Sequence, residues 1–260
     1  MWTWNSNAEQ IKGTVVLVHG AGEYHRRYEW VISKLNESGY HCVMGDLPGQ
    51  GTTTRRRGHI DAFDDYIETI EGWVYTAAGF GLPVFLFGHS MGGLAVIRTL
   101  MEKKMPVRAV ALSSPCLGLV NPPSKGKEAL SLVLNKIAPS VKFATNLPAG
   151  SGTRSEEMRL RDEGDVLLVK KVSVRWYREL TLAIKTAIEG YRKFPDVPLL
   201  VMQAGNDLIV DKYSVRQWFS AIDLSERSYK EFPELYHEVL NEPEREDVYS
   251  YLENYLKLHS

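Results

Sequence analysis

Ser90 lies at the centre of the sequence Gly-His-Ser-Met-Gly, residues 88–92, which fits the pattern Gly-x-Ser-x-Gly. An apolar run precedes it at residues 84–87, and a helix-forming run follows at residues 94–101. In a nucleophile elbow, a serine occupies such a sharp strand-to-helix turn, with strained backbone and an exposed Oγ. A Cβ two residues before or after the serine would collide with neighbouring backbone, so both positions need glycine. The pattern therefore predicts a nucleophilic serine.

A serine hydroxyl becomes a good nucleophile only when a base takes its proton, and the base needs an acid that orients it. In chains with this elbow, the acid and then the histidine follow the serine. Asp207 comes just after an apolar run at residues 198–203 and is our candidate acid. Asp211 is the competitor, although its position favours a role as the cap of the next helix. His237, in the segment before the last predicted helix, is our candidate base.

The tetrahedral intermediate of acyl transfer carries an oxyanion, which needs two N–H donors fixed in advance. We expect one of them to be the backbone N–H of Met91, directly after the nucleophile. The other should come from the loop that follows the apolar run at residues 14–18. We assign it to Ala21, because the neighbouring Gly20 and Gly22 allow that backbone to turn inward.

Strand and helix patterns alternate over the first half of the chain, which predicts right-handed crossovers and a parallel sheet. Functional residues collect at the carboxyl ends of the strands in such sheets, and Ser90 and the loop with Ala21 both fall there. The predicted strands are residues 2–4, 14–18, 40–44, 84–87, 107–112, 198–203 and 228–232, and the predicted helices are 30–38, 63–78, 94–101, 174–188, 215–221 and 243–258.

The alternation stops at residues 115–195, which hold prolines, a Gly-Ser-Gly sequence and helical patterns without strands. We therefore predict an α/β fold with a mostly parallel central sheet flanked by helices and an inserted helical cap. Residues 1–114 and 196–260 would form the core, and residues 115–195 the cap.

One stripe of apolar residues in the cap follows helical spacing. It would either line a channel for an acyl chain or pack on the core sheet, and the pattern leaves both open. The residues are Leu130, Val133, Leu134 and Ile137.

Composition limits the function further. The chain has 260 residues and a formal net charge of −1, so no overall field favours nucleic acid as a partner. There is no long apolar run or secretory leader, so we expect a cytoplasmic protein, and a peripheral membrane contact is compatible with that.

Cys42 and Cys116 match no metal spacing and are expected to be buried thiols. No metal-ligand cluster is visible, so no metal and no cofactor are expected. The sequence gives no sign of the oligomeric state.

The motifs around these residues resemble those of the monoacylglycerol lipases and bacterial lysophospholipases, a family of serine hydrolases. Only the cap diverges, and Thr52 replaces a serine that is usual in the family. The matching segments are His-Gly-Ala-Gly-Glu at 19–23 with Arg27 and Tyr28, Asp-Leu-Pro-Gly-Gln-Gly at 46–51, the elbow at 88–93, the acid block at 198–207 and the histidine block at 237–242.

The resemblance implies the α/β-hydrolase fold, a catalytic triad of Ser90, Asp207 and His237, and oxyanion donors at Ala21 and Met91. It also implies a two-step acyl transfer on a lipid ester, which releases fatty acid from phospholipids or lysophospholipids. A monoacylglycerol lipase or general carboxylesterase is the alternative. A proline-type serine peptidase and a non-catalytic binding protein of the same fold are more distant alternatives.

Charge bears on the substrate. Residues 115–190 hold 12 Lys plus Arg and 8 Asp plus Glu, a local net charge of +4. Arg55, Arg56 and Arg57 add positive charge in a loop on the carboxyl side of the strands. A basic rim around an acyl pocket would suit an anionic phospholipid headgroup or membrane surface, whereas a solvated loop is the plainer interpretation.

Overall fold

The computed structural model describes residues 1–52, 56–145 and 150–260. The strands are β1 (Trp2–Trp4), β2 (Gly13–Val18), β3 (Tyr40–Met44), β4 (Val84–His89), β5 (Ala109–Ser113), β6 (Lys142–Ala144), β7 (Lys171–Ser173), β8 (Leu199–Ala204) and β9 (Arg227–Phe232). The helices are α1 (Glu29–Glu37), α2 (Asp64–Ala78), α3 (Met91–Glu102), α4 (Lys125–Ile137), α5 (Glu156–Glu163), α6 (Val174–Glu189), α7 (Lys212–Ala221) and α8 (Arg245–Leu258).

Seven strands of the described chain form one sheet in the order β1-β3-β2-β4-β5-β8-β9. All neighbouring pairs are parallel except β1 and β3, so the antiparallel strand is confined to one edge. The predicted α/β fold with a mostly parallel central sheet is therefore confirmed. The carboxyl ends of β2, β4, β8 and β9 lie along one edge of this sheet, which brings distant loops together.

Both faces of the sheet are covered, because successive side chains of a strand point to opposite faces. In β4, Leu86 packs into an apolar cluster with α2 and α3. Its neighbours Phe85 and Phe87 pack into a second cluster with α1 and α8. This burial on both faces explains why the strands read as continuous apolar runs rather than as alternating ones.

The chain between β5 and β8 differs from its prediction in one respect. We expected helices without strands there, but β6 and β7 form a short antiparallel pair in which Lys142 lies opposite Ser173. Strands of three residues are too short to show an alternating pattern in the sequence. The division of the chain into a core and a cap at residues 115 and 195 stays a prediction.

Helix α6 buries apolar residues in the core, whereas helix α4 exposes most of its own. Helix α6 buries Trp176, Leu180 and Ala183 in the cluster that α2 and α3 share. Helix α4 exposes its stripe, since Leu130 and Ile137 are 56% and 73% accessible. The stripe therefore does not pack on the central sheet. No helix in the described ranges is long and apolar enough to cross a membrane.

Candidate active site

Ser90 sits between β4 and α3 in a strained backbone conformation, with φ 52° and ψ −121°. A Cβ on Gly88 would lie 2.7 Å from the carbonyl oxygen of Gly92. A Cβ on Gly92 would lie 2.3 Å from the carbonyl oxygen of Val18. Both predicted collisions are thus present, and the elbow requires glycine at these positions because strand and helix approach so closely. The strain holds Ser90 Oγ out of the helix and towards the loops that follow β8 and β9.

A hydrogen-bonded chain connects Ser90 to His237 and Asp207. With the ring proton on Nδ1, His237 donates to Oδ2 of Asp207 at 2.9 Å and accepts from Ser90 Oγ at Nε2, at 2.8 Å. Asp207 follows β8, and His237 lies in the segment between β9 and α8. The structure therefore brings together the three residues that sequence reasoning selected. This geometry can move a proton from the serine hydroxyl to a buried imidazole.

Asp207 is fixed by its own loop. The backbone N–H groups of Ile209 and Val210 each donate to Oδ1 at 2.9 Å, which leaves Oδ2 directed at His237. Its sequence competitor, Asp211, caps α7 by accepting from the N–H groups of Tyr213 and Ser214. Asp207 therefore contacts His237 because it follows the end of β8, whereas Asp211 caps α7 because it directly precedes that helix.

Electrostatics favour the charge separation that proton transfer needs. Burial favours the neutral ring of His237, but the ionised Asp207 beside it, together with Glu238 and Glu23, outweighs this and raises the pKa of His237 above its usual value. Burial also works against ionisation of Asp207, yet His237 and the two loop N–H groups lower the pKa of its carboxyl. The surroundings of His237 therefore stabilise its protonated, imidazolium form.

The loop after β2 lies against Ser90, since a Cβ on Gly20 would be 3.2 Å from that of Ser90. The carbonyl oxygen of Gly20 accepts from Nδ1 of His19 at 2.8 Å and from the N–H of Glu23 at 3.4 Å. In a planar trans peptide, the N–H of Ala21 must point the opposite way from that carbonyl. His19 thus sets the direction of the Ala21 N–H.

His19 is held as firmly as the peptide it orients. Its Nε2 accepts from the N–H of Leu47 at 2.9 Å, so the ring is neutral with its proton on Nδ1. Burial accordingly lowers the pKa of His19. In the described part of the chain, the N–H groups of Ala21 and Met91 donate to no protein acceptor. Both groups are free to bind an oxyanion.

A buried arginine joins the loop after β2 to two other parts of the chain. Arg27 has a side chain only 3% exposed, and it donates to Oε1 of Glu23 at 3.1 Å and Oε2 of Glu238 at 2.6 Å. It also donates to Asp162, at the end of α5. The other oxygen of Glu23 accepts from the N–H of Gly20 at 2.7 Å. Arg27 therefore connects the loop of Ala21, the segment of His237 and the chain between β5 and β8.

The residues predicted to contact substrate are less closely gathered. Arg57 donates to the carbonyl oxygen of Leu167 at 2.6 Å, and Arg56 pairs with Asp61 at 2.8 Å, so both have partners within the protein. Arg55 lies outside the described residues. The apolar stripe of α4 faces outward, with Leu130, Val133 and Ile137 exposed and Leu134 half-buried.

Sequence reasoning missed the partners of Arg27. Glu23 and Arg27 belong to a motif that the sequence shows, but Asp162 has no pattern around it and lies 135 residues from Arg27. As for metal ions, the described residues contain no group of three His, Cys, Asp or Glu side chains that could hold one.

Comparison with known proteins finds relatives over nearly the whole chain. Residues 9–244 match the family model described as "Serine aminopeptidase, S33". The chain is 50% identical to Phospholipase YtpA of Bacillus subtilis over 250 residues, 96% of each chain. It is 28% identical to the monoacylglycerol lipase of Mycolicibacterium smegmatis, over 98% of this chain and 92% of that one. The crystal structure of Paleococcus ferrophilus monoacylglycerol lipase superposes with a TM-score of 0.90 at 27% identity, over 100% and 98% of the two chains.

Proposed function

The chain belongs to the serine hydrolase family whose model is described as "Serine aminopeptidase, S33", and we propose that it releases fatty acid from phospholipids or lysophospholipids. The hydrogen-bonded chain from Ser90 through His237 to Asp207 is the observation that carries this proposal. It supplies a nucleophile, a general base and an orienting acid, which is the set that ester hydrolysis through an acyl-enzyme requires.

In the first half of the proposed reaction, Ser90 Oγ attacks the ester carbon while Nε2 of His237 takes the hydroxyl proton, 2.8 Å away. The N–H groups of Ala21 and Met91 bind the oxyanion that forms. The bond between the acyl carbon and the alcohol oxygen then breaks. His237 returns its proton to the departing alcohol, and the acyl group stays on Ser90.

The second half repeats these roles with water. His237 takes a proton from a water molecule, whose oxygen attacks the acyl carbon of the acyl-enzyme. The same two N–H groups bind the second oxyanion. The bond to Ser90 Oγ breaks, Ser90 regains a proton from His237, and the fatty acid leaves.

The substrate class rests on relatives. A 50% identical protein named Phospholipase YtpA supports a phospholipid or lysophospholipid ester. Relatives named as monoacylglycerol lipases are below 30% identical, and they support monoacylglycerol as the second candidate. The family description supports a peptidase as a third test substrate. The buried arrangement around Ser90 suits all three, so substrate assays must separate them.

An anionic phospholipid headgroup is the finer proposal. The net charge of +4 over residues 115–190 supports it, because the rest of the chain carries −5 to give the total of −1. The arginine loop adds less support, since Arg56 and Arg57 already bond to protein partners. We therefore assign the attraction of anionic lipid mainly to lysines of the cap.

We also propose that α4 contacts the membrane surface. Its outward stripe combines apolar side chains with nearby cations, and Val133 and Ile137 are 56% and 73% exposed. Lys125, Lys127 and Lys136 lie on the same helix. An amphipathic helix of this kind lies in the interface with its apolar face among the acyl chains and its cations near anionic headgroups.

One assay separates the substrate candidates. Fatty acid release is measured from lysophosphatidylglycerol, lysophosphatidylcholine, diacyl phosphatidylglycerol and monoacylglycerol, with Ser90→Ala as control. We expect the anionic glycerophospholipids to be hydrolysed fastest and the Ser90→Ala variant to release nothing. Faster release from monoacylglycerol would make the protein a monoacylglycerol lipase. Labelling of Ser90 by a fluorophosphonate without activity on any lipid would redirect the search to small esters and peptides.

Sedimentation with vesicles tests the membrane proposal. Vesicles of phosphatidylglycerol should bind the native protein more tightly than vesicles of phosphatidylcholine. The Val133→Ser/Ile137→Ser variant should lose most of this binding. Leu258→Ser removes a side chain that is 79% exposed on α8 and serves as the matched control. Equal binding by all three proteins would refute a role of α4.

A further inference from the structure

The chain from the end of α5 onwards lies alongside the loop after β2, and we call residues 162–169 the latch segment. The two segments are antiparallel, because later residues of the loop contact earlier residues of the latch segment. The pairs are Arg27 with Asp162, Tyr24 with Asp165, and Gly22 with Val169. Hydrolysis by Ser90 does not by itself require these contacts, so they call for a separate explanation.

One of the contacts reaches the backbone next to Ala21, and a second reaches the side chain of Tyr24 in the same loop. The carbonyl oxygen of Gly22 accepts from the N–H of Val169 at 2.9 Å. The N–H of Gly22 donates to Oε1 of Gln50 at 3.0 Å. The hydroxyl of Tyr24 donates to Oδ2 of Asp165 at 2.7 Å. Gly22 is therefore bound through its carbonyl oxygen by the latch segment and through its N–H by Gln50.

Arg27 connects the latch segment to the segment of His237 as well. Each of its three nitrogens donates to a different carboxylate, those of Glu23, Asp162 and Glu238. Glu23 anchors the N–H of Gly20, and Glu238 directly follows His237 in the chain. The position of Asp162 thus bears on both the loop of Ala21 and the segment of His237.

The charges in this cluster make Asp162 the member that can leave. Without Asp162, the buried guanidinium of Arg27 keeps Glu23 and Glu238 as partners, so its positive charge stays paired. Loss of Glu23 would instead free the N–H of Gly20 and the hydroxyl of Tyr28, which also donates to it. The cluster can therefore release the latch segment and stay intact.

We propose that Asp162 and Asp165 are positioning residues that hold the loop of Ala21 in its oxyanion-binding conformation. The oxyanion site is complete when the latch segment is docked and loosens when that segment moves away. Access of a lipid past the cap and stabilisation of its oxyanion are thereby coupled. This inference rests on the proposed hydrolysis by Ser90.

The test uses a substrate that needs no membrane. Hydrolysis of p-nitrophenyl butyrate is measured for Asp162→Asn/Asp165→Asn beside a variant of equal charge change on α5 and outside the latch segment, Glu156→Gln/Glu157→Gln. Both control glutamates are exposed. We expect kcat of the aspartate variant to fall about tenfold with KM within about twofold, since a misplaced donor weakens only the transition state. The control should keep the native kcat.

Tyr24→Phe tests the same contact from the other side and guards against a folding defect. It should lower kcat about threefold, and adding Asp165→Asn should lower it no further, because the hydroxyl through which Asp165 contacts the loop is already absent. Urea unfolding midpoints monitor the fold of every variant.

Two results would overturn the inference. One is a native kcat in the folded aspartate variant and in Tyr24→Phe. The other is a change confined to KM, which would mean that the latch segment serves binding alone. A native protein that neither hydrolyses esters nor reacts with a fluorophosphonate would refute the proposed function itself, and this is seen before any variant is made.

Discussion

Ser90 Oγ lies 2.8 Å from Nε2 of His237, although 147 residues separate the two in the chain. The contact depends on two independent supports. The elbow forces Ser90 into a positive φ, and the carboxylate of Asp207 fixes the ring of His237 at 2.9 Å. Ser90 and His237 are thus aligned in the structure by two supports, and each support can be removed separately.

The strain at Ser90 predicts that activity and stability oppose each other at this residue. Ser90→Gly removes the Cβ that makes φ 52° unfavourable, so it should raise the free energy of unfolding by about 1 kcal/mol. It should also abolish ester hydrolysis. Thermal unfolding beside a fatty acid release assay checks both. Ser90→Ala, which keeps the Cβ, is the control and should be inactive without the gain. A Ser90→Gly protein less stable than Ser90→Ala would contradict the strain.

The raised pKa of His237 predicts the acid limb of the pH profile. The base must be neutral to accept a proton, so kcat/KM should rise with pH and reach half its plateau above the ordinary imidazole value of 6.5. In Asp207→Asn this midpoint should move to lower pH, because the carboxylate that stabilises the imidazolium is gone. Initial rates on a soluble ester from about pH 5 to 9 measure it. An unchanged midpoint would argue against ionised Asp207 as the cause.

The same shift affects stability. Since the folded pKa of His237 lies above the unfolded value, its charged form stabilises the fold fully below about pH 6.5. That contribution is lost as the pH rises through the folded pKa. Asp207 has the opposite shift, so its contribution is present above its ordinary value of 3.8 and is lost as the pH falls through the folded pKa.

The two aspartates after β8 should respond differently to substitution. Asp207→Asn should lower kcat about 10³- to 10⁴-fold, because it leaves the base without its acid. Asp211→Ala should leave kcat within about twofold and cost about 1 kcal/mol of stability, because it removes the cap of α7. Steady-state kinetics and urea unfolding of both variants decide between the two assignments. A large loss of kcat in Asp211→Ala alone would reverse them.

Glycine substitutions test the elbow against an ordinary helix. Gly92→Ala places a Cβ 2.3 Å from the carbonyl oxygen of Val18, which cannot move without disturbing β2, and should cost more than about 3 kcal/mol. Gly126→Ala in α4 meets no atom within 4 Å and should stabilise the protein by about 0.5 kcal/mol. Urea unfolding compares them. Similar stabilities would mean that the helix can withdraw from the strand.

Local patterns predicted the parts of the site that depend on local geometry. The elbow could be found because its glycines, apolar strand and helix are adjacent in the sequence. Asp207 and His237 could be found because residues at the ends of neighbouring parallel strands meet at one edge. Each of these inferences needs only the order of the elements and not their packing.

Long-range contacts could not be predicted in this way. The apolar spacing of the α4 stripe shows that Leu130 and Ile137 share a face, but not that the face is exposed. The charge of Arg57 suggested a headgroup, whereas its guanidinium donates to the carbonyl of Leu167, 110 residues away. Asp162 shows the same limit, because nothing near it in the sequence marks it as a partner of Arg27.

The pairing of β5 with β8 has a consequence for how the protein is made. Val110 lies opposite Leu199, so β8 can pair with β5 only after the whole intervening segment has been synthesised. The elbow with Ser90 leaves the ribosome well before the strand that carries Asp207, and His237 follows later still. A nascent chain therefore carries Ser90 without Asp207 and His237, and the hydrogen-bonded chain through the three residues can form only when synthesis is nearly finished.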